Sequence, residues 1–550
     1  MTNKLYYGDN LYVLRKYIPD NSVDLIYLDP PFNSQATYNV LFEEESGEKS
    51  QSQIEAFEDF WTWDDDAQKT FEYLTTDKNV PANVTDLILA LERLLGKNSM
   101  SAYLVMMSVR LIELRRVLKP TGSLYLHCDP TASHFLKIVL DSIFGVQNFR
   151  NEIIWKRTSG HSDAIGFGCI HDVILFYTRS DKVIWNDTRQ EYDKEYVEAY
   201  YRYSDPDGRK WMSGDASASG LQGGGYEYEW KGVKRIWRFP IDTMRKLDTE
   251  GRIFYTKNGI PRVKRYLDES EGLPAQDLWT DIEALRSWHK NERLGYQTQK
   301  PVALLERIIK ASSKNDAVIL DPFCGCGTTI DAVEKLNLGS EAKRTWIGID
   351  ITHLAINLIK RRIRDKYPNA NFEVIGEPKD LQSAIQLAHN DRYQFEWWAL
   401  SLIDARPIND KKKGSDRGID GIIYLLDPNT KTTKSVLVQV KSGHVNSSYI
   451  RDFKGTLERE KAKFGVFITL EEPTKDMKEE ALTYGSELAP LNNEERVPRI
   501  QILTIKELLE GTKPKVLYVN ISYKKARHEK EKKSKRVIGK KVGKYKKLAV

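Results

Sequence analysis

Cysteine is scarce in this sequence, which contains four cysteines among its 550 residues. The four, Cys128, Cys169, Cys324 and Cys326, are too few and too irregularly spaced for a disulfide framework. Long hydrophobic runs are also missing: no run of about 18 apolar residues occurs, so no membrane-spanning helix is predicted. The first residues, MTNKLYYGDN, lack a basic stretch followed by an apolar one and do not indicate a secretory signal. These absences favour a reducing, cytoplasmic setting.

The remaining composition is that of a globular chain with more than one core. Hydrophobic residues make up 40% and charged residues 29% of a length that exceeds the usual size of one core, so two or three domains are expected. The formal charge of +6 is uneven, because 13 Lys or Arg residues oppose two Glu residues from Lys524 to the end. This basic tail, residues 516–550, predicts either a disordered arm that contacts a polyanion or a solvated tail that aids solubility.

Strand-like apolar runs alternate with helical patterns in residues 1–154 and again in residues 296–378. The run VDLIYLDPPF (23–32) predicts a buried strand that ends in a proline turn, and MMSVRLIELRRVLKP (106–120) predicts an amphipathic helix. Such alternation is typical of an α/β fold with a doubly wound parallel sheet covered on both faces. The two stretches together predict one such domain, divided by an insertion.

The predicted insertion, residues 155–295, is rich in Trp, Tyr, Arg and Gly and has no sustained helical period. Aromatic and cationic side chains on such a segment suit stacking on bases and contact with phosphates. An ordinary β-rich insertion with an aromatic core would show the same composition. A further α/β region follows at residues 385–515, where the pattern predicts a helix, a strand hairpin and another strand.

Four residues at the end of the first apolar run form a chemically specific motif. Asp29, Pro30, Pro31 and Phe32 follow a strand, and proline confines them to its carboxyl end, where open α/β sheets bind ligands. An amino group conjugated to an aromatic ring is a poor nucleophile. Asp29 and the Pro30 carbonyl, held by a rigid turn, can each accept one of its N–H bonds and aim its lone pair. Phe32 offers a face for a base removed from the stack.

A glycine-containing turn, Asp321 to Thr329, follows another apolar strand. Its spacing fits neither a dinucleotide fingerprint nor a phosphate-binding P-loop, since no Gly-Lys-Ser/Thr follows. A nucleoside that carries an amino acid fits better, and Asp350 at the end of the next strand could accept hydrogen bonds from both ribose hydroxyls. Cys324 and Cys326 lack a second pair of ligands and are interpreted as small turn residues rather than as a zinc site.

Together these segments resemble the amino-methyltransferases that modify adenine N6 or cytosine N4 in DNA, over nearly all of residues 1–378. The tetrapeptide precedes the glycine turn, which looks like the β-type order, with target recognition in the insertion. Further marks are NEIIWKR (151–157), HDVILFYTRS (171–180) and Thr298 to Pro301. The resemblance implies S-adenosylmethionine as cofactor, double-stranded DNA as substrate and adenine as the favoured base. The residues implied to bind the cofactor are Asp9, Thr298, Gln299, Lys300, Asp321, Phe323, Gly325, Gly327, Thr328 and Asp350.

The C-terminal region resembles the Mrr-type branch of the PD-(D/E)xK nuclease fold over about residues 390–470. Asp420 precedes a strand hairpin, Gln439 and Lys441 lie on its second strand, and Glu396 lies on the preceding helix. The resemblance implies that Asp420 and Gln439 hold Mg²⁺ while Lys441 activates water. Gln439 replaces the acid of the wider fold, so a non-cleaving domain used for DNA binding or domain contact stays an alternative.

The expected function is therefore site-specific DNA methylation in a restriction–modification system. The alternatives are cytosine N4 as target, a combined methyltransferase and endonuclease that cuts unmodified DNA, and a binding protein in which both enzyme folds are inactive. A restriction or motor subunit is one candidate partner, because no motor-type nucleotide loop occurs in the sequence and translocation would require another chain. A second copy of the chain is another candidate partner.

Overall fold

The computed structural model describes residues 2–515 and 519–520, except for 32–36, 44–48, 59–60, 161–165, 219–224, 287, 290–291, 295, 297, 342, 409–417, 427–432 and 490–491. The predicted base-stacking residue Phe32 and nearly all of the predicted basic tail lie outside the described residues. Within the described part of the chain, no helix is both long enough and apolar enough to span a membrane.

The first part of the chain alternates strands and helices. Its elements are β1 (Asn3–Tyr7), α1 (Asn10–Tyr17), β2 (Val23–Leu28), β3 (Thr37–Glu43), β4 (Lys49–Glu58), α2 (Asp65–Thr76), α3 (Ala82–Leu95), α4 (Ser99–Val117), β5 (Leu118–Cys128), α5 (Pro130–Phe144), β6 (Phe149–Lys156) and β7 (His171–Thr178). Helix starts are set locally: the Asp129 side chain accepts hydrogen bonds from the backbone of Thr131 and Ala132, and Pro130 occupies the first turn of α5.

Helix α4 differs from its predicted form. It begins at Ser99, after the capping residue Asn98, and ends at Val117, so the predicted span of 106–120 was wrong at both ends. Every residue from 101 to 109 is buried, which leaves no polar face to mark this half of the helix in the sequence. Lys119 and Pro120 lie at the start of β5 instead of closing the helix.

Smaller elements follow, and then the alternation resumes. The smaller elements are β8 (Arg189–Gln190), α6 (Lys194–Tyr200), β9 (Tyr203–Ser204), β10 (Lys210–Asp215), β11 (Tyr226–Trp230), β12 (Val233–Trp237), α7 (Ile241–Thr249), β13 (Ile253–Tyr255), β14 (Pro261–Tyr266), β15 (Leu273–Pro274) and β16 (Leu278–Trp279). The resumed alternation consists of α8 (Val302–Ser312), β17 (Val318–Asp321), α9 (Thr328–Asn337), β18 (Thr345–Asp350), α10 (His353–Lys366) and β19 (Phe372–Ile375).

A nine-stranded sheet in the order β16-β6-β7-β5-β2-β17-β18-β1-β19 organises this part of the molecule. All adjacent pairs are parallel except the two made by β7, which is antiparallel to β5 and to β6. Helices α1 to α5 contribute to the core on one face, and α8, α9 and α10 contribute to the core on the other. The fold is thus the α/β doubly wound sheet expected from the sequence.

Strand β7 lies inside this sheet, although the sequence analysis assigned residues 155–295 to the insertion. It pairs with β5 and β6 because a reversal after β6 returns the chain antiparallel to both neighbours. The segment that leaves the sheet therefore starts after Thr178 and rejoins it at β16, and we propose residues 179–277 as the insertion. It contains a four-stranded sheet, β13-β14-β10-β9, and an aromatic core that includes Trp230 and Trp237.

The C-terminal region forms a second α/β unit. Its elements are α11 (Leu381–Asn390), α12 (Arg392–Ser401), β20 (Arg406–Pro407), β21 (Gly421–Leu426), β22 (Thr433–Lys441), α13 (Ser447–Arg459), β23 (Phe464–Thr469), α14 (Lys475–Thr483), β24 (Ser486–Ala489), β25 (Asn492–Pro498), β26 (Ile500–Thr504), α15 (Ile505–Leu509) and β27 (Val519–Asn520). β21 and β22 form the predicted antiparallel hairpin, and β22, β23 and β26 are parallel. Trp397 of α12 packs against Leu354 and Leu358 of α10, so the two units are in contact.

Candidate active site

The carboxyl ends of four parallel strands meet at one edge of the nine-stranded sheet. β2 lies beside β17, with Leu25 opposite Ile319, and β17 lies beside β18, which in turn lies beside β1. Asp29 follows β2, Asp321 ends β17 and Asp350 ends β18, so three carboxylates from distant parts of the sequence reach the same edge. This is the edge at which open α/β sheets bind ligands.

A cavity of about 280 Å³ opens at this edge. The predicted residues that line it are Asp9, Asp29, Pro30, Pro31, Thr298, Gln299, Lys300, Asp321, Phe323, Gly325, Thr328 and Asp350. Gly327 does not line the cavity, and side chains that the sequence analysis missed, including Tyr27, Trp61, Arg110 and Tyr296, contribute to its wall. The structure therefore brings Asp29, Pro30 and Pro31 to the same pocket as the glycine turn.

Among the described residues, Asp29 is held on one side of its carboxylate only. Its Oδ2 lies 2.5 Å from the ammonium nitrogen of Lys300, and the two side chains are 16% and 9% exposed. Its Oδ1 is buried and has no hydrogen-bond partner among the described residues. A buried carboxylate oxygen without a donor is costly, so this atom indicates a ligand that donates a hydrogen bond.

The glycine turn passes close under the cavity. Gly325 and Gly327 have φ values of +48° and +76°, in the left-handed region that residues with a Cβ adopt rarely. A Cβ on Gly327 would lie 2.7 Å from Cγ1 of Ile359 on α10. Gly327 thus serves close packing between the turn and α10, whereas Gly325 lies at the cavity wall.

Two carboxylates in the wall are strongly affected by burial. Burial raises the pKa of Asp321 to about 7, although the Thr329 hydroxyl at 2.5 Å and the Phe323 amide stabilise its charge. Burial likewise raises the pKa of Asp350 to about 6, against the hydrogen bonds that it accepts from Thr352 and from the Gly325 amide. Lys300 and Arg110 also line the cavity and pair with Asp29 and Asp9. The net negative charge therefore comes from Asp321 and Asp350 when they are ionised, and it suits a cationic ligand better than a phosphate.

An ion pair that the sequence analysis missed supports the opposite wall. Arg110 of α4 lies 2.6 Å from Asp9, which also caps α1 by accepting a hydrogen bond from the Tyr12 amide. Arg110 also donates to Asn10, and Asn10 donates to the carbonyl of Pro322 in the glycine turn. The only signal in the sequence was an arginine within an otherwise apolar run.

Two residues of the segment before α8 line the cavity and also hold neighbouring groups of the protein in place. Gln299 accepts a hydrogen bond from the Leu294 amide and donates to the Glu292 carbonyl, so its side chain fixes the loop. Lys300 reaches Asp29 across the cavity wall. The resemblance implies that both hold the cofactor, which stays a prediction. The geometry adds a direct contact between Lys300 and Asp29.

Replacing Asp321 by Asn should flatten the pH dependence of folding stability between about pH 4 and pH 7. The unfolded carboxyl loses its proton near its model value of 3.8, but the folded one keeps it up to about 7. The folded state therefore binds the extra proton in this window, and its stability falls as pH rises through it, by about 1.4 kcal/mol per pH unit for one such group. Urea unfolding at several pH values measures the slope.

Asp316→Asn is the matched control for this experiment, because Asp316 is exposed in the same segment just before β17. It should keep the slope of the wild-type protein. An equal slope in Asp321→Asn and the wild-type protein would show that Asp321 is not protonated in the folded state over this range.

The predicted nuclease residues lie on and around the hairpin of the second unit: Gln439 and Lys441 on β22, Asp420 directly before β21, and Glu396 on α12. Asp420 Oδ2 accepts a hydrogen bond from the Val440 amide at 2.7 Å, so Asp420 lies beside the strand that carries Gln439 and Lys441. Gln439 is buried, and its Oε1 has no hydrogen-bond partner among the described residues. The Lys441 ammonium lies 5.7 Å from the centre of the Tyr449 ring, and Glu396 is partly exposed on α12.

Metal-binding clusters are not found in the described part of the chain, where no three His, Cys, Asp or Glu side chains are grouped to hold an ion. Cys324 and Cys326 are buried free thiols, and burial raises the pKa of both. Their position in the turn fits the interpretation as small turn residues.

Comparison with known proteins gives two family matches. Residues 23–361 match the N6_N4_Mtase family, described as DNA methylase. Residues 394–510 match a family described as NACHT-associated inactive Restriction Endonuclease 1. The first match spans both the Asp29 tetrapeptide and the glycine turn, and the second spans the hairpin with Asp420, Gln439 and Lys441.

Individual relatives agree with the first match. The type II methyltransferase M.EcaI of Enterobacter cloacae is 30% identical over 303 residues, which cover 54% of this chain and 65% of that protein. The StyLTI Mod subunit, a type III restriction-modification enzyme subunit of Salmonella typhimurium strain LT2, is 31% identical over 360 residues, which cover 62% and 51%. The chain thus spans between about half and two thirds of the length of these relatives. The solved structure of PvuII DNA methyltransferase (cytosine-N4-specific) is 12% identical, with a TM-score of 0.32, and the match covers 69% of this chain and 97% of that one.

Proposed function

Because this chain belongs to the DNA methylase family of N6 and N4 amino-methyltransferases, we propose that it methylates N6 of adenine at specific sites in double-stranded DNA, as the modification component of a restriction–modification system. The relatives named type II methyltransferase and type III Mod subunit support this biological setting. The observation that carries the proposed chemistry is the buried Asp29 Oδ1, which has no donor among the described residues and lies in a cavity shared with the glycine turn.

The residues that line the cavity suit S-adenosylmethionine by their chemistry. The group supplies an electrophilic methyl carbon on a positively charged sulfur. Asp321 and Asp350 offer negative charge around such a cation when they are ionised, and Gly325 lets the backbone approach closely. Asp350 retains lone pairs to accept ribose hydroxyls, and Asp9, Thr298, Phe323 and Thr328 complete the proposed binding set.

The proposed role of the tetrapeptide is to orient the target amino group. The flipped base places one N–H against Asp29 Oδ1 and the other against the Pro30 carbonyl, which directs the nitrogen lone pair at the methyl carbon. Lys300 fixes the carboxylate in this orientation from its other side. Phe32 would stack on the base, and the insertion would read the site in the duplex.

The affinity for S-adenosylmethionine should fall as pH decreases below about 6. Protonation of Asp350, whose pKa burial raises to about 6, removes the negative charge and an acceptor from the cavity. The dissociation constant should then rise about tenfold per pH unit below that value. The Asp350→Asn variant should bind S-adenosylmethionine weakly and should not show this rise of the dissociation constant below about pH 6. The Asp316→Asn variant should still show it. Equilibrium binding from pH 5 to 8 measures both, and an Asp350→Asn profile like that of the wild-type protein would contradict the assignment.

The target base is the finer part of the proposal. Asp at the first position of the tetrapeptide supports adenine N6 by resemblance, with cytosine N4 as the alternative. A base-resolved methylation map of DNA from cells that express this chain tests it. Methylated adenine in a repeated sequence context supports the proposal, and methylated cytosine N4 replaces it with the alternative.

For the second unit we propose engagement of DNA or of a restriction subunit, rather than cleavage. The matching family is described as inactive, and Asp420 already uses one carboxylate oxygen for the Val440 amide. The test is to incubate plasmid DNA and the protein with S-adenosylmethionine alone, with magnesium alone and with both, and to look for cleavage of the DNA. Cleavage that needs magnesium and disappears in Lys441→Ala would instead favour the combined methyltransferase and endonuclease.

A further inference from the structure

Three buried polar side chains form a hydrogen-bonded chain behind the cavity. The hydroxyl of Tyr27 lies 2.8 Å from Nδ1 of His127, and Nε2 of His127 lies 3.1 Å from Oδ2 of Asp172. The three residues belong to the adjacent strands β2, β5 and β7, so the chain runs across the sheet away from the cavity. None of the three is more than 2% exposed. Burial of three such groups is costly unless each is paired, and here each pairs with the next.

Asp172 fixes the direction of the hydrogen bonds. Burial acts to raise the pKa of Asp172, but the hydrogen bond from His127 and the nearby charges of Lys300 and Arg157 bring it below its ordinary value. An ionised carboxylate can only accept hydrogen bonds, so Nε2 of His127 carries a hydrogen and donates a hydrogen bond to Asp172. In the uncharged imidazole Nδ1 then accepts, and Tyr27 donates to it. The remaining lone pairs of the Tyr27 oxygen are left for a donor on the cavity side.

Tyr27 is the end of this chain that reaches the cavity. It lines the cavity together with Asp29. Residues two apart along a strand face the same side of a sheet, and Asp29 follows Tyr27 by two positions at the end of β2. Burial raises the pKa of Tyr27 well above its usual value, and Asp29 is the nearby charge that contributes most to the same effect. Tyr27 therefore stays a neutral hydroxyl that can accept one proton only by giving up another.

We propose that Tyr27, His127 and Asp172 form a proton relay that removes, through Asp29, the proton released when the target amino group is methylated. The inference rests on the proposed function and adds three residues to it. Asp29 is a poor final carrier of this proton, because its protonation would break the ion pair with Lys300. The relay instead places the positive charge on His127, where the Asp172 carboxylate stabilises it.

The proposed transfer balances at each atom. The target nitrogen bonds to the methyl carbon as the carbon–sulfur bond breaks, and that electron pair stays on sulfur. One N–H proton passes to Asp29 Oδ1, and its electron pair returns to nitrogen. Asp29 Oδ1 has no hydrogen bond to Tyr27 or to any other described residue, so the step needs one water molecule in the cavity. This water takes up the proton from Asp29 and gives one of its own to the Tyr27 oxygen, while Tyr27 passes its proton to His127 Nδ1. Asp29 and Tyr27 end in their initial forms, and His127 ends as an imidazolium. The reverse passage releases the proton to water once the product leaves.

The charged groups around the relay define what its pH dependence reports. Asp29 and Lys300 face Tyr27 from the cavity side, and the charge of Asp321 on β17 helps to raise the pKa of Tyr27. At the other end of the relay, Nε of Arg157, the residue after β6, lies 3.3 Å from Asp172 Oδ1. The ring of Trp155 meets the edge of the His127 ring and adds no charge. His127 is the only member of the proposed relay whose net charge changes when the relay takes up the proton.

The test is the single-turnover rate of methyl transfer by the full chain. Genomic DNA from a host without DNA methyltransferases and S-adenosylmethionine with a tritiated methyl group are the probes. Tyr27→Phe removes one oxygen, and Asp172→Asn keeps the shape of the side chain but removes the charge that stabilises His127. Each should lower the rate about 100-fold at pH 7, the usual range for loss of proton transfer. Each loss should shrink towards pH 9.5, because hydroxide then takes the proton. Affinity for S-adenosylmethionine should stay within twofold.

Tyr125→Phe is the matched control. Tyr125 is buried on neighbouring β5 and bonds to Ser312 at 2.6 Å, so the variant also loses one buried hydroxyl and one hydrogen bond. It should keep the wild-type rate at every pH. The Tyr27→Phe/Asp172→Asn double variant should be no slower than the slower single variant, because the relay fails as a unit.

The relay would be overturned if Tyr27→Phe and Asp172→Asn transferred methyl groups at nearly the wild-type rate. It would also be overturned if the loss of rate were equal at every pH, or if the losses of the two single variants multiplied in the double variant. A merely structural role predicts these two kinds of loss. If the wild-type chain itself transfers no methyl group to DNA, the proposed function fails. If the wild-type chain is active and Tyr27→Phe matches it, only the relay fails.

Discussion

Asp29→Ala should lower the rate of methyl transfer about 1,000-fold or more while S-adenosylmethionine still binds. The substitution removes the acceptor that the proposed mechanism places against the target N–H, and preorganised electrostatic contacts of this kind are worth two to three orders of magnitude or more. The Lys300 ammonium, 2.5 Å from Asp29 Oδ2, also loses its partner. Methyl transfer to genomic DNA under single-turnover conditions measures the rate, and equilibrium binding measures the cofactor.

The matched control is Asp316→Ala, which removes an exposed carboxylate near the start of β17 and should leave the rate unchanged. Asp29→Asn separates charge from shape, since it keeps an acceptor oxygen and should retain more activity than Asp29→Ala. Unchanged transfer by Asp29→Ala would remove this residue from its assigned role. Loss of cofactor binding in parallel with activity would place Asp29 in the binding site alone.

Lys300→Met should destabilise the protein by about 3 kcal/mol and lower methyl transfer about 100-fold. Both members of the ion pair with Asp29 are largely buried, and removal of one partner leaves an uncompensated charge in the cavity wall. The activity falls because the carboxylate loses the contact that orients it. Urea unfolding at pH 7.5 measures stability, and the labelled methyl group measures transfer.

The double variant Asp29→Asn/Lys300→Met distinguishes these two effects. It carries no unpaired charge and should recover most of the lost stability, yet transfer should stay low. Lys119→Met is the matched control, because Lys119 pairs with Asp24 at 2.7 Å but is 36% exposed, so its loss should cost at most about 1 kcal/mol. Equal destabilisation by Lys300→Met and Lys119→Met would contradict the special role of the Lys300 pair.

Local sequence signals predicted the parts of the site that lie directly after strands. The Asp29 tetrapeptide and the Asp321 turn were identified because proline and glycine restrict or release the backbone at strand ends, whatever the rest of the chain does. Their meeting follows from parallel pairing of β2 with β17, which only the structure gives. The alternation of strands and helices implied a parallel sheet but not its strand order. The doubly wound fold was predicted correctly from this alternation.

Sequence patterns failed to predict the structure where a segment is buried on all sides or where residues far apart in the sequence pair. Helix α4 is buried along its first half, so the 3.6-residue pattern that marks amphipathic helices is missing there. Strand β7 was assigned to the insertion because nothing in its own residues states that β5 and β6 flank it. The pairing of Lys300 with Asp29 joins residues 271 positions apart, and it cannot be predicted from either residue alone.

The sequence by itself determined the fold class, the strand-end motifs and the family to which the chain belongs, because these depend on short-range patterns and on backbone restriction by particular residues. Only the tertiary structure decided which side chains share the cavity. Arg110 meets Asp9, Lys300 meets Asp29, and Tyr27 reaches Asp172 through His127 across three strands. Such contacts arise when strand order and helix packing bring distant residues within hydrogen-bonding range, and burial then makes each pairing obligatory.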